Sequence, residues 1–487
     1  MKLPLMLLAG FAGAARGASL LRGAPPRAPS FLRAATSAPR CFAARANLVD
    51  GTASQAADSE SSSVKSEFLH TIQWRGFLQQ ATDLEALDEK LSSGPVVAYL
   101  GFDATASSLH VGSLLQIMLL RHFQQCGHKP IVLVGGGTTK VGDPSGKDAS
   151  RQLLTEDAIA ANIAGISQVF EKFLTFGDGP TDAMIVNNDD WLSGLEYLSF
   201  LREYGRHFTI NRMLSFESVK QRLERESPLS FLEFNYMILQ AYDFLELSRR
   251  HDATLQFGGS DQWGNIINGV ELARRVDGKT LYGLTAPLLA TADGKKMGKT
   301  ADGAVWLNKD LLSPFDYWQF WRNTADADVG RFLRIFTELP REEIERLEAL
   351  PGAAINEAKA KLADEATAML HGADCLDEIR ATAATLFASG GGGGAADTSA
   401  LPRVQLTAKD FAEGDIPVVD LFVRLEFAKS KGEVKRLVSG GGARLNDVKI
   451  EDPGMVVSTA TFEDAKEIKL SSGKKKHGIV ELVAGAA

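Results

Sequence analysis

Cysteine is scarce in this chain, and acidic residues are absent from its first 49 positions. The three cysteines, Cys41, Cys126 and Cys375, lie far apart, which excludes a disulfide framework and a cysteine-based zinc site. We therefore expect the mature protein in a reducing compartment and predict no metal site. Uncharged apolar runs all fall short of the length that a transmembrane helix needs.

Charge is unevenly distributed along the 487 residues. Residues 1–49 hold seven basic residues, whereas the rest of the chain has a net charge of -15. So acidic a body excludes general nucleic-acid binding through bulk charge, and any RNA binding must use a local basic surface.

The N-terminal segment has the composition of a targeting sequence. Lys2 precedes an apolar run over residues 3–15, as in a signal peptide, and an Arg-, Ala-, Ser- and Pro-rich stretch typical of a transit peptide follows. We assign residues 1–66 to an organelle-targeting peptide and a flexible linker. This two-part address favours the plastid stroma, in a plastid acquired by secondary endosymbiosis. A single mitochondrial presequence, leading to the matrix, is the alternative.

Beyond Glu67 the pattern becomes globular. Short β-branched runs alternate with longer amphipathic segments, which predicts an α/β domain with a parallel sheet over residues 67–313. Residues 314–388 have helical patterning, residues 389–400 form a Gly-rich linker, and residues 401–487 form a small α+β module. The predicted strands of the sheet are residues 96–101, 131–135, 183–187 and 253–258.

The first chemical motif lies where a strand turns into a helix. Residues 99–113, YLGFDATASSLHVGS, place His110 and Gly112 at the start of the predicted helix 111–125. A helix N-terminus offers N–H groups and a positive dipole end to phosphate. His110 and Thr105 can donate hydrogen bonds, and Gly112 allows a base or ribose to approach the backbone. Taken alone, these residues fit a loop histidine and a packing glycine equally well.

A second motif, KKMGKT at residues 295–300, places three lysines beside a glycine. Lys296 and Lys299 could hold the pyrophosphate of ATP as charge develops on it. Most such hexamers are solvated surface turns, but the combination with the first motif predicts an ATP-activating site.

A polar stripe marks the predicted helix 231–248. Tyr236, Gln240 and Asp243 are spaced i, i+4 and i+7, on one face of an otherwise apolar helix. Buried polar groups need partners, so the stripe indicates either a ligand pocket or a closed hydrogen-bond cluster.

Five ordered segments resemble the tyrosyl-tRNA synthetases of bacterial and organellar type, a family of class I aminoacyl-tRNA synthetases. The similarity runs from Phe68 to the C-terminus. It is carried by residues 99–113, VGGGTTKVGDPSGK (134–147), FLEFNYMILQAYDF (231–244), LQFGGSDQWGN (255–265) and KMGKT (296–300).

This resemblance implies a Rossmann-like catalytic domain with a helical insertion, an α-helical domain near the anticodon and an S4-like RNA-binding domain. It also implies that tyrosine reacts with ATP to give tyrosyl-adenylate, and that the tyrosyl group then passes to the 3′ end of tRNA(Tyr). The implied partners are L-tyrosine, ATP with Mg²⁺, tRNA(Tyr) and a second copy of the chain. Mg²⁺ would accompany ATP without a dedicated protein site, and no tightly bound cofactor is expected.

The resemblance also assigns roles to residues. Tyr99 and Asp243 would read the phenolic hydroxyl of tyrosine, while Tyr236, Gln240 and Asp143 would hold its ammonium group and Gln262 its carboxyl region. The ATP-binding residues would be Gly101, Asp103, His110, Gly112, Ser113, Gly259, Asp261, Lys296 and Lys299. The catalytic residues would be Thr105, His110, Lys147, Arg151, Lys296, Lys299 and Thr300.

Four basic residues in the C-terminal module, Lys429, Lys431, Lys435 and Arg436, are assigned to one helix that would contact RNA. A solvated basic helix is the plainer interpretation of this pattern.

Two positions depart from the family pattern. Ser113 stands where a histidine is frequent, and Ala104 stands where a proline is usual. Neither removes a required charge, so we expect activity.

Three alternatives stay open from the sequence alone. They are a tryptophanyl-tRNA synthetase, an RNA-binding or intron-folding factor that keeps the fold without the activity, and another ATP-dependent adenylyl or nucleotidyl transferase.

Overall fold

The computed structural model describes residues 64–145, 154–292, 294, 297–300, 303–387, 401–412, 414–462, 466–473 and 476–483, with backbone alone for 299–300 and 385–387. The predicted targeting segment falls outside these residues except for 64–66, and the predicted Gly-rich linker falls outside them entirely. Within them, no helix is long and apolar enough to span a bilayer.

A six-stranded sheet forms the centre of the first region. Its spatial order is β1-β6-β5-β2-β3-β4, and every pairing is parallel except that of β1 with β6. The four predicted strands are present with bounds shifted by one or two residues, but the prediction of an all-parallel sheet missed β6 and the antiparallel edge strand β1. The strands are β1 Gln80–Ala81, β2 Val97–Phe102, β3 Lys129–Val134, β4 Met184–Asn187, β5 Leu255–Gly259 and β6 Tyr282–Ala286.

Helices cover this sheet. Two of them carry residues of the predicted site to the carboxyl edge of the sheet: α3, which matches the predicted bounds, and α10, which extends two residues beyond them. The helices are α1 Glu67–Arg75, α2 Leu84–Ser93, α3 Val111–Gln125, α4 Gly136–Thr139, α5 Glu156–Phe173, α6 Asp189–Leu192, α7 Tyr197–Glu203, α8 Ile210–Leu214, α9 Glu217–Glu224, α10 Phe231–Arg250 and α11 Trp263–Val276.

The start of α10 is fixed by its own sequence. Ser230 and Glu233 form a capping box, in which each side chain satisfies the other residue's backbone N–H. Glu233 is also paired with the buried Arg222 of α9 at 3.0 Å. Together these contacts set where the polar stripe of α10 begins.

A short hairpin and a helical region follow the sheet. The hairpin pairs β7 with β8, and the helical patterning predicted over residues 314–388 is found as five helices. The elements are β7 Lys299–Thr300, β8 Gly303–Ala304, α12 Pro314–Arg322, α13 Asp326–Phe336, α14 Arg341–Glu348, α15 Ile355–His371 and α16 Leu376–Phe387.

Helix α1 ties the N-terminal part of the described chain to this helical region. The buried guanidinium of Arg75 donates hydrogen bonds to three backbone carbonyls at and beyond the end of α13, those of Arg334, Thr337 and Leu339. Trp74 lies beside the guanidiniums of Arg75, Arg334 and Arg341, at 5.3–5.8 Å from its ring centroid. Apolar side chains of α1, of the sheet and of α12–α16 share one hydrophobic core.

The described residues after 400 form an α+β unit with a hydrophobic cluster of its own, while Leu401 and Ile479 belong to the first core. A five-stranded sheet has the order β12-β11-β14-β15-β9, and β10 pairs with β13. The elements are β9 Arg403–Leu406, β10 Ile416–Pro417, α17 Val418–Arg424, α18 Lys431–Ser439, β11 Ala443–Leu445, β12 Val448–Lys449, β13 Val456–Val457, β14 Glu467–Ser472 and β15 Lys476–Leu482.

Candidate active site

A cavity of about 660 Å³ opens at the carboxyl ends of β2 and β5, where the sheet order reverses. This is the place where ligands bind in open α/β sheets. The cavity collects predicted residues from four of the five segments that carry the family resemblance. Its lining includes Tyr99, Gly101, Asp103, Thr105, His110, Gly112, Ser113, Asp143, Tyr236, Gln240, Asp243, Gly259, Asp261 and Gln262.

The cationic residues of the prediction are less fully placed. Lys147, Arg151 and Lys296 lie outside the described residues, and Lys299 and Thr300 are described only as backbone in β7. Their roles remain predictions.

His110 lines the cavity and is the N-cap residue of α3. Its Nδ1 accepts a hydrogen bond from the Gly112 N–H at 3.0 Å, while Val111 and Ser113 donate to the carbonyls of Val305 and His110. The first three N–H groups of α3 therefore have protein partners, and the expectation of free N–H groups for phosphate at this helix end is wrong. Because Nδ1 accepts, the proton of a neutral imidazole resides on Nε2, which leaves that nitrogen as the ring's donor.

The segment after the lysine motif is paired with the segment that carries His110. Val111 donates to Val305, Leu307 donates to Leu109, and Trp306 lies opposite His110 in an antiparallel bridge. A Cβ on Gly112 would come within 3.0 Å of the Met297 carbonyl oxygen and closer still to the His110 ring. The two sequence motifs are thus in backbone contact, which the sequence prediction had assumed only as proximity.

Asp243 also lines the cavity and is buried. Its carboxylate accepts hydrogen bonds from Trp191 Nε1 at 2.8 Å and Asn188 Nδ2 at 3.0 Å. Burial raises the pKa of Asp243 to about 7, against the lowering effect of these two donors.

Tyr99 lies near Asp243 on β2, fully buried. Its hydroxyl has no hydrogen-bond partner within the described part of the chain. Burial raises the pKa of Tyr99, and the Asp243 carboxylate raises it further. A buried hydroxyl without a partner, beside a buried carboxylate, fits a ligand that brings its own hydroxyl.

Two further carboxylates, those of Asp103 and Asp143, also line the cavity. Asp103 accepts from Thr138 at 2.9 Å and from the Tyr236 hydroxyl at 3.3 Å, and Asp143 accepts from Gln262 Nε2 at 2.8 Å. The structure therefore pairs Tyr236 with Asp103 rather than with Asp143. Both carboxylates give this part of the cavity the negative charge that an ammonium group requires.

Sequence reasoning missed several residues that line or support the cavity. Asn188 and Trp191 follow β4 at the carboxyl edge of the sheet. That position could have identified them from the sequence, because ligands bind at this edge. Gln256 is a buried polar residue within β5 that lines the cavity, and its Oε1 has no partner among the described atoms. Trp306 and Thr138 also line it.

The proposed RNA-contacting residues are all exposed in the C-terminal unit. Lys431, Lys435 and Arg436 lie on α18, but Lys429 precedes the helix cap Ser430, so its assignment to the helix was wrong. Lys431 forms an ion pair with Asp420 at 2.7 Å.

Comparison with known proteins identifies relatives over most of the chain. The family model described as tRNA synthetases class I (W and Y) matches residues 91–388. A tyrosine–tRNA ligase of Caulobacter sp. (strain K31) is 60% identical over 423 residues, which cover 87% of this chain and 99% of that protein. One from Rhodospirillum rubrum is 59% identical, with 86% and 99% covered.

Solved structures give the same result. A C-terminally truncated mitochondrial tyrosyl-tRNA synthetase of Aspergillus nidulans superimposes with a TM-score of 0.60 at 30% identity, covering 66% of this chain and 94% of that one. The corresponding protein of Coccidioides posadasii gives 0.57 at 31% identity, with 65% and 91% covered.

Proposed function

This chain belongs to the class I tRNA synthetase family for tryptophan and tyrosine, and we propose that it is a tyrosine–tRNA ligase acting in two steps. In the first step, the tyrosine carboxylate attacks the α-phosphorus of ATP, forming the tyrosyl-adenylate anhydride and releasing pyrophosphate. In the second, a ribose hydroxyl at the 3′ end of tRNA(Tyr) attacks the tyrosyl carbonyl carbon and releases AMP.

The observation that carries this proposal is that one cavity is lined by Asp243 and Tyr99 and also by His110. We assign the phenol of tyrosine to an Asp243 end and ATP to a His110 end. The buried pair matches the phenolic hydroxyl, and the Asp103 and Asp143 carboxylates match the ammonium group. The tyrosine carboxylate then faces the His110 end, where ATP would lie.

No general base is needed for the first step, because the nucleophile is already ionised. The rate enhancement comes from in-line positioning and from stabilising the charge that develops on pyrophosphate. Thr105 and His110 would donate hydrogen bonds to phosphate, and Lys147, Arg151, Lys296, Lys299 and Thr300 would complete the donor set. Mg²⁺ would enter bound to ATP phosphates.

Amino-acid-dependent exchange of pyrophosphate into ATP tests this function directly. We expect exchange with tyrosine and little with phenylalanine or tryptophan. Tyr99→Phe should weaken selection against phenylalanine and leave the folding stability unchanged or higher, because the removed hydroxyl has no partner among the described residues. Exchange that required tryptophan, or that failed with every amino acid, would overturn the proposal.

We also propose that the C-terminal unit grips tRNA. Support comes from its own hydrophobic cluster and from the exposed Lys435 and Arg436 on α18 in an otherwise acidic protein. Deleting residues 401–487 should abolish tRNA charging and preserve tyrosine-dependent exchange. Equal loss of both activities would contradict a separate RNA-binding role.

A homodimer is proposed from exposed apolar side chains. Of the eleven large hydrophobic residues exposed in the described chain, seven fall between residues 197 and 232. A second copy of the chain is the proposed partner for this surface, which we name the α7–α10 apolar surface. Its members are Tyr197, Leu198, Ile210, Leu214, Leu223, Phe231 and Leu232.

We propose an organellar location, with the plastid stroma favoured and the mitochondrial matrix as the alternative. The Caulobacter relative leaves about an eighth of this chain unmatched, close to the length of the acid-poor segment that resembles a targeting peptide. The mature N-terminus, determined by mass spectrometry, and imaging of residues 1–66 fused to a fluorescent protein would test both the cleavage and the destination. Detection of the protein in the cytosol with residues 1–66 still attached would contradict the proposal.

A further inference from the structure

Helix α13 contacts the chain that leads into the lysine motif. The carboxylate of Asp328, only 2% exposed, accepts a hydrogen bond from the Ala292 N–H at 2.9 Å. Arg331, one turn later, donates to Asp328 Oδ1 at 2.8 Å and also to the Ala290 carbonyl. We name these two side chains the α13 anchor.

The α13 anchor bonds to residues 290–292, which precede the lysine motif. Other backbone hydrogen bonds hold the residues around and after the motif. Met297 donates to the Leu289 carbonyl at 3.0 Å, which closes the loop at its base. The segment after the motif is paired, through Val305 and Leu307, with the segment that carries His110. The flank over residues 290–292 is therefore attached to the helical region, and the flank after the motif is attached to the cavity.

The hydrogen-bond partners of the Asp328 carboxylate are unusual for its position in the helix. It lies in the first turn of α13, where a carboxylate commonly serves its own helix. Here one oxygen bonds to a loop amide that is 36 positions away in the sequence, and the other bonds to Arg331. Burying a carboxylate is unfavourable unless its partners are well placed, so this arrangement specifies the position of the loop.

We propose that Asp328 and Arg331 are positioning residues for adenylate formation. They fix the flank that precedes Lys296 and Lys299, and so determine where those lysines meet pyrophosphate. Movement of α13 within the helical region would then change the rate of the first step. This inference rests on the proposed role of the lysines in holding ATP.

Single-turnover formation of tyrosyl-adenylate by the full-length protein, with the tyrosine dissociation constant measured separately, tests the anchor. Asp328→Ala and Arg331→Met should each lower the rate constant by about tenfold or more, because small misplacement of catalytic groups is costly. The tyrosine dissociation constant should stay within about twofold, since the anchor lies outside the tyrosine end. Asp328→Asn, which keeps an acceptor for Ala292, should recover part of the rate.

Glu348→Gln is the matched control. It removes the negative charge of Glu348, which forms another ion pair of α13 with Arg334. Neither of these two side chains bonds to the loop among the described residues. The wild-type rate in this variant, together with reduced rates in both anchor variants, supports the proposal.

A double-substitution cycle separates positioning from general damage. In a Lys296→Ala, Lys299→Ala background, Asp328→Ala should cause little further loss, because the anchor acts through those lysines. Full additivity, or equal effects of Asp328→Ala and Glu348→Gln, would overturn the proposal. If the wild-type protein formed no tyrosyl-adenylate from tyrosine and ATP, the proposed function itself would be refuted instead.

Discussion

The α-carbon of Gly298 lies so close to the backbone of Gly112 that a Cβ atom on Gly298 would stand 2.8 Å from the Gly112 nitrogen. Gly298 also has a φ of +95°, a conformation that L-residues with side chains seldom adopt. This contact joins the lysine motif to the N-terminus of α3.

We expect Gly298→Ala to slow adenylate formation by about tenfold or more, because the new methyl group must push the lysine motif away from α3. Tyrosine binding should be unchanged, as measured by equilibrium titration. Gly278→Ala is the control: Gly278 is also left-handed, with a φ of +67°, but a Cβ there meets nothing within 4 Å. Equal kinetic effects of the two substitutions would show that backbone strain alone is responsible.

His110 caps α3, and substitutions can separate this role from its proposed contact with phosphate. His110→Ala should lower the free energy of unfolding by about 1 kcal/mol, since α3 loses its cap, and should also reduce the rate of adenylate formation. His110→Asn keeps a capping acceptor and should restore stability without restoring the rate. Urea unfolding and single-turnover kinetics provide the two measurements. A wild-type rate in His110→Asn would limit the role of this residue to capping.

The raised pKa of Asp243, about 7, predicts a pH dependence of tyrosine binding. Below this value the carboxyl is protonated in the free protein, and above it the ionised group can accept the phenolic hydrogen bond. Tyrosine affinity should therefore increase as the pH rises through about 7.

The indole of Trp191 should tune that dependence. Trp191→Phe removes a donor that lowers the Asp243 pKa, so the midpoint should move to higher pH. Trp318→Phe is a matched control, because Trp318 Nε1 donates to the Asp364 carboxylate at the same 2.8 Å in the helical region. Calorimetric titrations on either side of neutral pH would detect the shift, and an identical midpoint in all three proteins would exclude Asp243 as its source.

A charge at Phe231 would test the proposed dimer interface on the α7–α10 apolar surface. Phe231→Asp should convert the dimer to monomer in sedimentation velocity, because a charge would be buried in an apolar interface. Val448→Asp places the same charge on an equally exposed side chain, 71% against 70%, in the C-terminal unit. That variant should remain dimeric. A wild-type monomer, or dissociation of both variants, would contradict the assignment of the α7–α10 apolar surface.

Sequence patterns predicted four of the strands from short apolar and β-branched runs, but not the rest of the sheet. The β6 sequence, YGLTA, is short and contains small residues, and it is a strand because it pairs with β5 on one side and β1 on the other. Such pairings join distant residues and leave little local signal. The antiparallel edge was missed for the same reason.

The cavity lining contains many of the residues to which the family resemblance assigned roles, and those roles remain predictions. The helical period alone accounts for the shared face of Tyr236, Gln240 and Asp243. Supporting residues such as Asn188 and Asp328 have no such pattern. Their partners, Asp243 and Ala292, are 55 and 36 positions away, and folding alone brings them together.

The hydrogen bonds of Arg75 to the end of α13 restrict where related synthetases can be joined to make chimeric proteins. Exchanging residues 314–387 alone would place a foreign α13 terminus against the resident α1. The buried N–H donors of the Arg75 guanidinium would then stay satisfied only if three backbone acceptors reappeared in the same positions. Helix α1, although first in the described chain, therefore behaves as part of the helical region for the purpose of recombination. A crossover that transfers residues 67–75 together with 314–387 preserves this unit intact.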